Sequence, residues 1–253
     1  MPLVSIVTIV KNDAIGLSRT FSSIRTQTSL DWQMLIVVAP SSDNSVELAD
    51  EIANENDAVC VIRQESLGIF SAMNEGLNYA SGEFIWFMNS GDIFAGPEVL
   101  GLATNEMAKS SLGVVVGGYQ IRQKAIVSKY AFRRKKITPL SFAFSRRGGC
   151  HQAMIFRTSF VKEIGGFNLN YRVNSDFLLA LSIIKLGGGQ RVPDVYADVE
   201  PGGFADQNIY TVHNEKHELR KLLFGSKWVN LLSNCWTFAA RCKILTRRLL
   251  LGR

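Results

Sequence analysis

Residues 69–92 read IFSAMNEGLNYASGEFIWFMNSGD, and this stretch decides the architecture. Its first twelve residues make a helix that stops at Ser81 and Gly82. Five large apolar residues, Phe84 through Met88, follow as a buried strand and run directly into Asn89, Ser90, Gly91 and Asp92. A buried strand ending in an amide, a hydroxyl, a glycine and one carboxylate is either an ordinary turn or the lip of a site. Helix capping explains Asn89 and Asp92 less well than it does Asp13, because no clear helix start follows before Gly96-Pro97.

The same helix-to-strand unit recurs upstream. LVSIVTIV (3–10) is a near-continuous β-branched run, as in a strand covered on both faces. Asn12 and Asp13 can cap a helix carrying Leu17, Phe21 and Ile24. MLIVVA (34–39) is a second strand, and Ser41, Ser42 and Asp43 offer caps for a helix carrying Val46, Leu48 and Ile52. AVCVI (58–62) is a third strand. This alternation predicts an α/β fold with a mostly parallel sheet flanked by helices. Ligands of such sheets bind outside the carboxyl ends of the strands, where each of these polar clusters falls.

Beyond residue 100 the pattern is mixed. LGVVVGGYQI (112–121) and HQAMIF (151–156) read as strands, TSFVKEIGGF as a short helix with a glycine stop. SDFLLALSIIKLGG (175–188) reads as a helix whose apolar face includes Phe177, Leu181, Ile184 and Leu186. The basic, aromatic segment 128–149 lacks periodicity and is expected to be a mobile loop.

Several chemistries are excluded. The chain has no GxGxxG after the first strand, no GxxxxGK[ST], no GxSxG and no HExxH. Its three histidines make a histidine-rich metal centre improbable, and His213 and His217, four residues apart, sit on a charged, solvated stretch. The four cysteines have no metal or disulfide spacing, so free thiols in a reducing cytosol are expected. No apolar run is long enough for a membrane span, and the start does not resemble a signal peptide. A nucleic-acid partner is not expected, because the basic segments lack an aromatic stacking platform.

The stretches SIVTIVKN, SSDNS, GIFSAMNEGLNYASGEFIWFMNSGD, HQAMIFR, GGFNLNYRVNSDF and VEPGGFAD, in that order, resemble the family 2 glycosyltransferases of the GT-A (Rossmann-like) fold. The resemblance covers roughly residues 3–206 and is strongest to bacterial members that build surface and extracellular polysaccharides. It implies transfer of a sugar from a nucleotide-diphosphate donor to a saccharide or lipid-linked acceptor, with inversion at the anomeric carbon. It further implies a donor site formed by Thr8, Val10, Asn12, Asp43, Gly68, Asn74, Asn89 and Asp92. Asp176 matches the family's catalytic base, His151 and Gln152 its acceptor side, and residues 200–204 a glycine segment that closes over the donor.

A divalent cation, Mg²⁺ or Mn²⁺, would neutralise the departing diphosphate, with Asp92 as its ligand. Here the chain departs from the family pattern. The motif's usual acids at its first and third positions are replaced by Asn89 and Gly91. Those usual at the end of strand 2 and in the helix over 69–80 fall on Val38-Ala39 and Ser71. Two alternatives follow: an active transferase, or a degenerate GT-A domain kept as a binding or scaffolding subunit. A glycoside hydrolase would need two carboxylates facing one bond, and no second one is identifiable.

The net charge of +6 belongs to the end of the chain. Eight Lys and Arg and no acid lie in residues 219–253, which leaves 20 basic against 22 acidic residues in the first 218. We therefore expect a catalytic domain over 1–218 and a basic tail over 219–253. Trp228, Leu231, Cys235, Phe238, Cys242, Leu245 and Leu249 draw one apolar stripe on a helix. With Arg220, Lys227, Arg241 and Arg248 beside it, the tail fits an anionic membrane surface, which predicts a peripheral position on the inner face of the cell membrane.

Overall fold

The structure, a computed structural model, describes residues 2–123, 126–145, 149–225 and 233–234. The parallel part of the sheet comprises β1 (Val4–Val10), β2 (Trp32–Val38), β3 (Val59–Arg63) and β4 (Phe84–Phe87), in the spatial order β3-β2-β1-β4. Between them run α1 (Ala14–Arg25), α2 (Ser45–Glu55) and α3 (Ile69–Tyr79). The apolar runs form strands because both faces are covered. Ile6, Phe84 and Trp86 belong to one core cluster and Val7, Ile85 and Phe87 to the other, alternating as strand side chains must. Helix α3 lies close against β1: a Cβ on Gly76 would come within 2.4 Å of a Val7 methyl. A larger residue there would push the helix off the sheet.

The second half continues the same sheet. After the short β5 (Ile93–Phe94) and α4 (Val99–Ala108) come β6 (Val114–Gln123), β7 (Ile126–Tyr130), β8 (Lys135–Ile137), α5 (Pro139–Ala143) and, after a 3-10 turn at His151–Ala153, β9 (Met154–Arg157). Then follow α6 (Thr158–Glu163), α7 (Ser175–Gly187), β10 (Gly189–Val199), α8 (Phe204–Gln207) and α9 (Ile209–Phe224). Strand β9 inserts antiparallel between β4 and β6, and β10 runs parallel to β6. The mixed half of the sheet thus meets the parallel half at β4, whose end carries the polar motif.

Three expectations are corrected. The basic segment 128–149 is not a loop where it is described: it pairs as β7 on β6 and β8 on β10, then enters α5 through a Thr138–Ser141 capping box. Leu186 is 46% exposed and does not join the buried face of α7. The junction drawn between 218 and 219 falls inside α9, where Leu219 and Arg220 are buried. The Arg220 guanidinium donates to the Ala143 carbonyl at 2.9 Å and lies over the Phe144 ring, so it is packed inside the body and cannot line a free basic stripe. The apolar stripe from Trp228 to Leu249 lies outside the described residues.

Candidate active site

The loops after β1, β2 and β4 are tied to one another at the carboxyl edge. Asn12, in the left-handed region at φ +52°, accepts from the Ser42 N–H through Oδ1, while its own N–H donates to Ser41 Oγ. Asp13 caps α1 by accepting from the Gly16 N–H at 3.0 Å, and its other carboxylate oxygen accepts from Ser90 Oγ at 2.7 Å. Asp43 accepts from the Ala14 N–H at one oxygen and from Ser45 at the other. The Ser45 hydroxyl, followed by the Ala14 N–H, holds its carboxyl below the usual range. Asn12 and Asp43 thus fasten loop to loop.

Thr20, on α1 and fully buried, fixes the strand-4 motif. Its hydroxyl donates to the Asp92 carbonyl at 2.8 Å and accepts from the Gly91 N–H at 3.0 Å. Gly91 has φ +91°, which a side chain would strain. The turn points Asp92 inward. It is only 4% exposed, with one carboxylate oxygen accepting from the Glu200 N–H at 2.9 Å and the other from Gln152 Nε2 at 2.8 Å. Burial raises its pKa to about 6 against those two bonds.

A cleft of about 430 Å³ opens beside this turn. It brings together Asn89, His151, Gln152 and Asp176, four of the expected residues, and adds Glu200 and Lys216. Asp176 stands in the first turn of α7, where the helix dipole favours a negative charge. It accepts from the Phe177 N–H at 2.7 Å and lies 3.1 Å from His151 Nδ1. Burial works to raise its pKa. The hydrogen bond and charge of His151 and the charge of Lys216 outweigh that and hold it below the usual carboxylate value. Lys216, whose ammonium sits 5.1 Å from the Phe177 ring centroid, is itself shifted down by burial.

The other expected donor residues lie elsewhere. Val10 is a core residue whose carbonyl accepts from Ala39. Asn74 spends its amide on Phe167, accepting from the N–H and donating to the carbonyl, both at 2.8 Å, so it staples α3 to the glycine turn at 165–166. Gly68 is needed for its φ of +112° at the start of α3. Thr8 Oγ1 is buried in β1 without a hydrogen-bond partner among the described residues. Asn89 Oδ1 is buried and unpartnered in the same sense, but at the cleft.

Among the described residues no group of three or more His, Cys, Asp or Glu side chains is placed to hold a metal ion. Asp92, expected as the ligand, is 4% exposed and accepts one hydrogen bond at each carboxylate oxygen. Oxygen donors are nonetheless present at the edge in Asn89 Oδ1 and the Glu200 carboxylate. That is the chemistry a hard cation takes, since Mg²⁺ needs one or two carboxylates and completes its shell with water and substrate phosphates. Thr20 carries no local sequence signal, and Glu200 shows in the sequence only as the start of the glycine segment 200–204; the fold brings both to this turn.

The sheet order and the helices between its parallel strands define a mixed α/β domain with a polar cleft at the end of β4. The family described as Glycosyl transferase family 2 matches residues 5–165, and the chain belongs to it. The chain is 30% identical over 195 residues to the protein of Mycobacterium tuberculosis named Uncharacterized glycosyltransferase MT1564, covering 72% of this chain and 70% of that one. It is 29% identical over 184 residues to the Escherichia coli UDP-Glc:alpha-D-GlcNAc-diphosphoundecaprenol beta-1,3-glucosyltransferase WfgD, covering 72% and 70%. Among solved structures, S. aureus TarS 1-349 in complex with UDP superposes with a TM-score of 0.70 at 17% identity, covering 87% of this chain and 66% of that one. The mannosyltransferase PcManGT from Pyrobaculum calidifontis, in complex with GDP-Man and Mn2+, gives 0.68 at 15% identity, covering 100% and 76%. These last two likenesses bear on the fold alone, which is GT-A.

Proposed function

We propose that this glycosyltransferase moves a sugar from a nucleoside-diphosphate donor to a saccharide or lipid-linked acceptor, with inversion, in the building of a surface polysaccharide or glycolipid. The observation that carries this reading is the position of Asp176. It is one ionised carboxylate, steadied by His151, in the same cleft as the end of β4. A base there takes the proton of an acceptor hydroxyl as its oxygen attacks the anomeric carbon. The bond to the diphosphate oxygen breaks on the opposite side, and the nucleoside diphosphate leaves with the electron pair. A single displacement inverts the carbon. The acceptor class rests on WfgD, whose name specifies a diphosphoundecaprenol-linked substrate.

A divalent cation at the end of β4 would offset the charge of the leaving diphosphate. His151 and Gln152 stand on the acceptor side. The basic tail, on this reading, holds the enzyme to an anionic membrane surface on its cytoplasmic side, near a lipid-linked acceptor. No described helix is long and apolar enough to cross a membrane.

The test is donor hydrolysis and transfer measured with UDP- and GDP-sugars. Asp176→Asn should leave nucleotide binding unchanged and reduce turnover by about two to four orders of magnitude. Turnover near that of the wild type would refute the assignment of the base.

A further inference from the structure

The strand-4 motif lacks a side chain where Gly91 stands, yet the space above that glycine is not empty. A Cβ built on Gly91 would lie 2.8 Å from Glu200 Oε2 and 3.2 Å from its Cδ. A carboxylate from a segment 108 residues distant from Asp92 therefore occupies the place that an acid at position 91 would fill. Its placement is fixed through the backbone, because the Glu200 N–H donates to the buried Asp92 carboxylate. The Glu200 side chain is half-exposed and lines the cleft, paired with Arg19 of α1.

Two further features point to a ligand here. Asn89 Oδ1, at the end of the same strand and lining the same cleft, is buried with no hydrogen-bond partner among the described residues. A buried carbonyl oxygen left unmet calls for a donor or a cation. Asp13 is the other acid nearby, with Oδ2 3.7 Å from the same Cβ position, but Ser90 already donates to it. Glu200 alone of the three acids is both at the cleft and held only by a solvent-exposed arginine. Exposed ion pairs are weak, so Arg19 competes poorly with a doubly charged ion.

We infer that Glu200 is the carboxylate that binds the divalent cation at this site, with Asn89 Oδ1 as a neutral oxygen ligand and Arg19 as the counter-ion displaced on loading. The acid absent from the strand-4 motif is thereby supplied by the segment after β10, and Asp92 serves to position it. This rests on the donor reading above.

The experiment measures Mn²⁺ binding by electron paramagnetic resonance, with and without UDP or GDP, and nucleotide affinity by calorimetry in Mn²⁺ and in chelator. Wild type should bind one nucleotide more tightly with Mn²⁺. Glu200→Gln, with an unchanged melting temperature, should lose about tenfold or more of the Mn²⁺ affinity and retain only the chelator-level nucleotide affinity. Arg19→Gln should bind Mn²⁺ at least as well as wild type, whereas a Glu200 that merely anchors Arg19 would give matching losses in both variants. Those matching losses, wild-type Mn²⁺ binding in Glu200→Gln, or nucleotide binding indifferent to Mn²⁺ would each overturn the inference and leave the donor reading standing. Failure to bind either nucleotide under any condition would overturn the donor reading and the inference with it.

Discussion

Asp92 keeps a carboxyl group almost out of water. Burial pushes its pKa up to about 6, and the N–H donors of Glu200 and Gln152 offset only part of that shift. Because the folded value lies above the unfolded one, its contribution is fully present below about pH 4 and is lost as the pH rises through 6. The largest slope is about 1.4 kcal/mol per pH unit. Asp92→Asn removes the titration, so the stability of wild type relative to this variant should fall between pH 4 and pH 6.5. Denaturant midpoints of the two proteins at those pH values check it, and a constant difference would mean that Asp92 titrates normally. The role of Asp92 was not legible from its position. A carboxylate after a glycine at a strand end looks like a ligand, and only the packing of Thr20 beneath the turn shows that it faces inward.

At the scale of elements, legibility followed burial. Strands β1, β2 and β4 are largely covered on both faces and carry unbroken apolar runs, so the pattern displays them directly, while the edge strand β3 keeps an apolar run with one side open. Strand β10 is equally central, between β6 and β5, but its sequence GQRVPDVYADV contains a proline and charges. The register with β6 shifts between Arg191 and Val195, which lets Pro193 sit where no ladder bond is required. Strands β7 and β8 pair on one side only and expose lysines, which hides them from any test of periodicity. What fastens this half is electrostatic as well as apolar. Glu106 of α4 is 8% exposed and accepts from Arg134, just ahead of β8, and from Lys109. The Arg134 hydrogen bond, then that of Lys109, holds its pKa down to about 2. A depressed acid contributes above its unfolded value near 4.5 and loses that contribution as the pH falls through 2. Glu106→Gln should therefore cost about 1–2 kcal/mol at pH 7, after discounting for the exposure of both cations. The cost should shrink on acidification toward pH 3. Urea unfolding at the two pH values measures it, and an equal cost at both would assign the loss to packing.

For the whole molecule, the question is where the folded body ends. Charge composition alone puts the break at 218/219, because acids stop there; packing puts it later. Leu219 is fully buried in the cluster that holds Phe142 and Phe177, Arg220 is 3% exposed, and α9 closes on Gly225 in the left-handed conformation. Removing one buried leucine costs about 2–5 kcal/mol, and removing Arg220 also strips the Ala143 carbonyl of its donor. That is a large part of the stability of a single domain. A chain ending at residue 218 should therefore melt well below full length or accumulate insolubly. One ending at Gly225 should fold and bind nucleotide, although it gives up the bond between His217 and Ser233. The two truncations also separate the proposed membrane contact from the body. Of the eight basic residues after 218, six lie beyond Gly225, and each contributes about 1 kcal/mol near an anionic surface. Full-length protein should sediment with vesicles rich in anionic lipid at low salt and be released at high salt. The chain ending at Gly225 should stay in the supernatant. If it sediments as full length does, the membrane contact lies on the body, and the basic tail has another partner.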